Sequence, residues 1–361
     1  MLKIDCLLGK KTKPQQLAAW CQKAMEKNGV TESDAAIAAD VFVAADTRGT
    51  FSHGSRQIFG LMKNVKDGRI DTRASPVTIM DHISTAIIDG RDAMPTTNAV
   101  EGMKLAIAKA KKTGIAYVTV RNSAHIGALA YYSLMAAAEG LIGISMTNTD
   151  PVMTVPGGKG SIIGTNPISY AIPTGNGMPI FLDIATSSVA VTRIMQLKAI
   201  GKKLPDKWLV DDQGQPTDDP AGFPEKLTLL PMAMHKGYGL AVLVETLSAI
   251  VSGAAFLSGV GCWVHDIPKK TNQGHAFIAV DISTMLPKEE FFQRTNSMSE
   301  ELRNAPKAEN SDKILLPGET EHNNRAKALA EGMVLPDYVL VNLHALAESI
   351  NDIEGFNALF H

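Results

Sequence analysis

The chain has 361 residues, 45% of them hydrophobic and 20% charged, with a formal net charge of -2. That is the balance of a soluble globular protein, and it offers no charge excess for a nucleic acid or a membrane surface. Three cysteines, Cys6, Cys21 and Cys262, form no C-x-x-C pair. Small reduced thiols in a cytoplasmic protein are therefore expected, rather than a disulfide framework or a metal site.

At about 150 residues per domain, the length suggests roughly two domains. The spacing of apolar residues predicts a helix from Pro14 to Asn28, stopped by Gly29. Thr31 caps a second helix, with Asp34 at N3, that runs to about Asp46. A turn follows from Thr47 to Gly54, then a helix from Arg56 to Lys66. Val77 to Met80 and Ser84 to Ile88 read as short strands. Asn98 is expected to cap a helix that ends at Gly114. Ile115 to Val120 is a strand by its β-branched content. Gly127 to Glu139 reads as a helix, and Leu141 to Thr147 as a strand. Strands are expected over Ser161 to Ile172 and Pro179 to Ile184, and a helix from Ser188 to Ile200. Gly201 to Glu225, with its four prolines, reads as a long loop. His235 to Ser252 reads as one long apolar helix. Within it Glu245 and Gly253 just beyond speak against a membrane span. His275 to Ile282 is a strand, and the rest is mostly helical. The alternation predicts α/β layering. The expected division is a helical body from residues 1–75 and 285–361 and an α/β body from 76–284.

Gly158-x-Gly160-x-x-x-Gly164 superficially resembles a dinucleotide fingerprint. Its context fails, because Pro167 follows where a helix should open and the run reads as a strand. An ordinary Rossmann fold is not expected, although glycine-rich backbone supplies N–H groups to phosphates without one. No G-x-S-x-G or H-E-x-x-H occurs, and the histidines lack metal-ligand spacing.

Several runs together resemble a known family. Ala45 to Gly54 reads A-D-T-R-G-T-F-S-H-G, and Asn122 to Gly127 reads N-S-A-H-I-G. Gly143 to Asp150 reads G-I-S-M-T-N-T-D. Pro156-Gly157-Gly158, Gly164-Thr165-Asn166-Pro167, Asp183-Ile184-Ala185-Thr186, Lys236 to Leu240 (K-G-Y-G-L) and Leu316 to Glu319 (L-P-G-E) follow in order. The ordered set, spanning about residues 14 to 350, resembles the malate/L-lactate dehydrogenase family, which includes ureidoglycolate and sulfolactate dehydrogenases. The resemblance implies a non-Rossmann α/β fold with a mixed sheet flanked by helices, a homodimer, and NAD or NADP as cofactor. It implies hydride transfer between nicotinamide and a small 2-hydroxy or 2-oxo acid. A cyclic-imine or sugar-acid reductase of the same family is the alternative, and an inactive ligand-binding scaffold the reading from another class.

The resemblance also suggests roles. Reduction of a 2-oxo acid needs a proton for the developing alkoxide, and histidine suits that task. His53 and His125 are the candidates, although a turn histidine by itself is more often structural. Arg48, Arg56, Gln57, Thr165 and Asn166 are candidates for the substrate. Arg48 has an alternative as an ion-pair partner of Asp46 or another acid. Gln57 stands where the family commonly has a carboxylate-binding arginine, with Arg56 one position earlier. Ser145, Asn148, Asp150, Gly164, Asp183, Ala185, Thr186, Lys236, Gly237, Pro317, Gly318 and Glu319 are the cofactor candidates. Lys236 reads equally as a solvated lysine, and Asp183 as a cap for the segment after it.

Overall fold

The computed structural model describes residues 4–263 and 269–361. A short strand β1 (Lys11–Thr12) leads into α1 (Pro14–Glu26), α2 (Glu32–Thr47) and α3 (Gln57–Lys66). Pro14 stands at the start of α1, where its missing N–H would have had no helical partner. Thr31 caps α2 as its spacing predicts, accepting the Asp34 N–H at 3.2 Å.

The strands β2 (Val77–Asp81) and β3 (Thr85–Asp89) form a hairpin. Next come α4 (Pro95–Thr113), β4 (Ile115–Ser123), α5 (Ala130–Ala138) and β5 (Ile142–Thr147). Then follow β6 (Ile168–Ile172), β7 (Ile180–Ile184) and α6 (Val191–Ala199). Three two-residue strands, β8 (Leu209–Val210), β9 (Pro216–Thr217) and β10 (Thr228–Leu229), make a small sheet of their own. Beyond it lie α7 (His235–Glu245), a π turn at Thr246–Ile250, and β11 (Gln273–Val280). The chain closes with α8 (Lys288–Arg303), α9 (Glu319–Glu331), β12 (Met333–Val334), α10 (Asp337–Ser349) and α11 (Ile353–Asn357).

The main sheet has seven strands in the order β2-β3-β4-β11-β5-β6-β7. Only β3 and β4 pair in parallel; the other five neighbouring pairs are antiparallel. This is a mixed sheet and not a doubly wound Rossmann sheet. The late strand β11 lies at its centre. Its Phe277 and Ala279 join α4, α5 and β4 in one core, whereas Ala276 packs with Met146 and Val244 of α7 on the other face. Gly102 lets α4 approach: a Cβ there would stand 2.7 Å from the Phe277 ring. A separate core joins the helices of the two chain ends, from Leu17, Met25 and Phe42 to Leu343 and Phe356. A third core unites Met153, Ile194, Leu209, Phe223 and Leu229 around the small sheet.

Four expectations need correction. α4 opens at Pro95, and Asn98 lies inside it, buried, donating to Gly90 O and Ser123 Oγ instead of capping. Residues 201–225 hold β8 and β9, too short for an alternation pattern to reveal. The long apolar helix ends at Glu245 and loosens into the π turn. Within Ser161 to Ile172 only Ile168–Ile172 is a strand; Ile163 makes an isolated bridge to Met153, and Asn166, with a positive φ of 31°, interrupts the run between them.

Candidate active site

The first motif forms the end of α2 and a 3-10 turn at Phe51–His53. Asp46 is buried, and its Oδ2 accepts the Ser55 N–H at 2.9 Å. Gly54 is required by that carboxylate, since a Cβ would fall 1.8 Å from Asp46 Oδ1. Burial pushes the Asp46 carboxyl up to about 7, against the hydrogen bonds from Ser55 that favour ionisation. Gln57 Nε2 donates to Ser52 O at 2.6 Å and ties the helix start of α3 back to the turn. Ser52 Oγ lies 2.8 Å from His53 Nδ1.

His125 arrives from the sheet, in the turn between β4 and α5. The Gly127 N–H donates to its Nδ1 at 3.3 Å, so the neutral ring carries its proton on Nε2. The seat of α5 fixes this turn. Ser145 Oγ donates to Leu129 O, Asp183 Oδ2 accepts the Ala130 N–H, and Ser133 and Ser169 bond each other, each contact at 2.8 Å. Ser145 pairs with Ser169, and Ser169 with Asp183, across β5, β6 and β7. Asp183 therefore caps α5 and not the segment that follows it. Burial raises its carboxyl to about 6.

The two imidazoles meet. Their ring centres are 5.5 Å apart and the planes 24° from parallel. Trp263 stacks on His125 at 4.5 Å and 13°, making His125 the middle ring of three. Burial drives His53 down to about 4, helped by the Arg56 charge. It drives His125 well below the ordinary range, helped by His53 and His275. His275 Nδ1 lies 2.7 Å from Thr147 Oγ1, and burial takes that ring down to about 3. All three imidazoles are neutral at pH 7.

From Thr147 the polar bed continues. Glu245, buried at the end of α7, accepts from Asn148 Nδ2 at 3.2 Å, Leu257 N at 2.8 Å and Asn166 Nδ2 at 2.5 Å. Asn148 Oδ1 accepts the Gly274 N–H, and Asn166 Oδ1 the Thr149 N–H. A Cβ on Gly164 would fall 2.3 Å from Thr149 O, so this turn admits only glycine. Thr186 donates both its N–H and its hydroxyl to Thr165 O. Gly237 sits against Thr186 O so closely that a Cβ would be 2.4 Å away. Lys236 stands exposed beside it at the first turn of α7, and Asp150 and Ala185 are half-buried. The late motif packs against β7: Phe181 N donates to Pro317 O, Gly318 takes a φ of 82° against the Phe181 ring, and Glu319 pairs with Arg303 at 2.9 Å.

Arg48 does not bond Asp46. Its Nη1 donates to Ala44 O at 2.9 Å, and burial with the nearby Arg325 charge lowers it to about 10. Arg56 lies 5.3 Å from the centre of the Tyr338 ring, with its Nε buried and without a hydrogen-bond partner. Three residues escaped the sequence reading: Trp263, His275 and Glu245. The partners of each lie far away in the chain, so no local spacing marks them.

A dinucleotide needs a cation for its diphosphate and neutral polar groups for its ribose and carboxamide. Lys236 has no ion pair among the described residues, and a lysine at a helix N-terminus is disfavoured until an anion offsets it. The exposed Lys236 ammonium, next to the close Gly237–Thr186 approach, is a group that fits such a diphosphate. The fold is that of an α/β protein built without a Rossmann sheet, and its site gathers neutral imidazoles, amides and hydroxyls. The malate/L-lactate dehydrogenase family profile matches residues 12–344. Malate dehydrogenase of Pyrococcus abyssi is 35% identical over 93% of this chain and 93% of its own. The solved sulfolactate dehydrogenase of Methanocaldococcus jannaschii superposes with a TM-score of 0.88 at 36% identity, covering 95% of this chain and 98% of that one. The malate dehydrogenase structure from Entamoeba histolytica gives 0.89 at 32%, with the same coverage. The chain belongs to the malate/L-lactate dehydrogenase family, and it is a dehydrogenase of 2-hydroxy acids that works with NAD or NADP.

Proposed function

We propose that the chain interconverts a small 2-hydroxy acid and its 2-oxo acid, of the malate or lactate kind, and that His53 and His125 handle the proton. The observation that carries this reading is the contact of two neutral imidazoles from different parts of the chain. When bound, a reduced nicotinamide supplies the hydride. His125 presents Nε2–H to the substrate oxygen as a hydrogen-bond donor, and the ring that passes a proton to the alkoxide is one that has first taken a proton up from solvent. His53 is held at Nδ1 by Ser52, which leaves Nε2 to exchange a proton with the same oxygen. In the oxidising direction a neutral ring is ready to accept the hydroxyl proton.

Arg56 is the proposed seat of the substrate carboxylate. Its unpartnered Nε and its charge beside His53 support this, and a guanidinium fits a carboxylate bidentately. Gln57, which left an inactive scaffold open, serves to hold the Ser52 carbonyl. We assign Lys236 to the cofactor diphosphate, with Thr165, Thr186 and Gly237 around it. Asn148, Asn166, Ser145, Asp183 and Glu319 act through the turns they hold. The reading includes a homodimer in the cytoplasm. Exposed Val242, Leu243, Ile250 and Val251 along α7 and its π turn support the dimer, and sedimentation should show twice the 38.6 kDa of one chain.

Absorbance at 340 nm with NADH or NADPH and a set of 2-oxo acids tests the function. His53→Ala and His125→Ala should each lower kcat, by about 10²–10⁴-fold if the ring is the acid–base group, while cofactor binding stays near wild type. Full turnover in both variants would refute the assignment.

A further inference from the structure

Trp263 belongs to none of the motifs, yet it makes the tightest ring contact in the site. Its indole lies flat on His125, at 4.5 Å between centres and 13° between planes, and His53 lies 5.5 Å from the same imidazole, 24° from parallel. Trp263 and its neighbour Cys262 are themselves held by α3, the helix that begins with Gln57, and by Arg69 just beyond its end. Asn64 Nδ2 donates to Trp263 O at 3.1 Å, Arg69 Nη1 donates to Cys262 O at 3.1 Å, and Gly60 leaves room for the indole. A Cβ on Gly60 would stand 3.3 Å from Trp263 Cζ3. The anchoring helix thus also carries the Arg56 and Gln57 end of the site.

We propose that Trp263 is a positioning residue for His125: its indole fixes the plane of the imidazole and keeps water off one face, so that Nε2–H points at the substrate oxygen in one orientation. The proposal rests on the reading of His125 as a proton-handling group. The groups facing His125 are His53 from the 3-10 turn, His275 from β11 and the indole; Arg56 acts through His53. None of these is an anion, so burial decides the ring's charge, and the indole supplies part of that burial. The stacked indole and the neighbouring His53 ring restrict rotation of the imidazole, while the Gly127 N–H pins Nδ1. A ring held at three points loses little entropy on reaching the reactive geometry.

The test follows His125 by NMR of histidine-labelled protein without ligands, alongside the pH profile of kcat for 2-oxo-acid reduction. In Trp263→Ala the His125 titration should move up toward the ordinary imidazole value of about 6.5. The kcat should fall roughly 10- to 100-fold, with the KM for the cofactor unchanged. Trp263→Phe, which keeps a flat ring, should recover most of both. Gly60→Ala gives an independent route, since alanine favours the helix while crowding the indole. It should shift the same titration without loss of thermal stability. An unmoved His125 titration in a folded Trp263→Ala protein would overturn the proposal. A titration that moves while the rate profile does not would support the stacking role and overturn the catalytic role of His125.

Discussion

Asp46 and His53 lie in one motif, and burial acts on them in opposite senses. The folded Asp46 carboxyl, raised to about 7 from 3.8, keeps a proton that the unfolded chain gives up. Its contribution to stability is present below about pH 4 and is lost as pH rises toward 7. His53, lowered to about 4 from 6.5, refuses a proton that the unfolded chain accepts. Its contribution is present above pH 6.5 and is lost as pH falls through 4, and the lowered His125 and His275 act in the same direction. Asp46→Asn removes the first effect and retains an acceptor for the Ser55 N–H. The urea midpoint of this variant should therefore fall more steeply than wild type between pH 6.5 and pH 4. Parallel profiles for the two proteins would show that Asp46 is not protonated in the fold. At this scale the sequence motifs singled out His53 and His125, and the fold brings their rings together. Trp263 was not legible, because a single tryptophan in a turn carries no pattern until α3 and His125 close around it. Glu245 was hidden as well: inside an apolar helix it looks like an interruption, and only the fold brings Asn148 and Asn166 to its carboxylate.

Among the elements, α5 shows how the sheet aims a side chain. Ser145, Ser169 and Asp183 come from three neighbouring strands in register, and together they seat the helix start just after His125. Asp183→Ala removes the acceptor for the Ala130 N–H and should cost about 0.5–2 kcal/mol of stability, the usual cost of a lost cap. It should also lower kcat by loosening the His125 turn, and Asp183→Asn should recover most of both. An Asp183→Ala protein with wild-type stability and turnover would contradict this. Helices with caps and clear apolar spacing, such as α1, α2 and α3, were legible to within a few residues. The start of α4 was not, since Pro95 and Asn98 both carry start signals and tertiary contacts to Gly90 and Ser123 decided between them. Two-residue strands such as β8 and β9 exist only through their pairing partners, so no local signal announces them.

In the whole molecule, the site lies where separate cores meet. The helical core is assembled from both ends of the chain and brings His53 and Arg56; the sheet core brings His125. The central strand β11 enters last among the sheet strands and carries His275 beside them. Strand order of this kind is set by long-range pairing, which is why the mixed non-Rossmann sheet followed from resemblance and not from periodicity. The central claim is that this junction is where hydride and proton transfer occur. A crystal structure with the nicotinamide cofactor and an unreactive 2-oxo-acid analogue such as oxamate tests it most directly. The expected result places the analogue's oxygen about 2.6–3.2 Å from Nε2 of His125 or His53, with nicotinamide C4 about 3–3.5 Å from the reacting carbon. A nicotinamide ring bound away from both imidazoles would contradict the account.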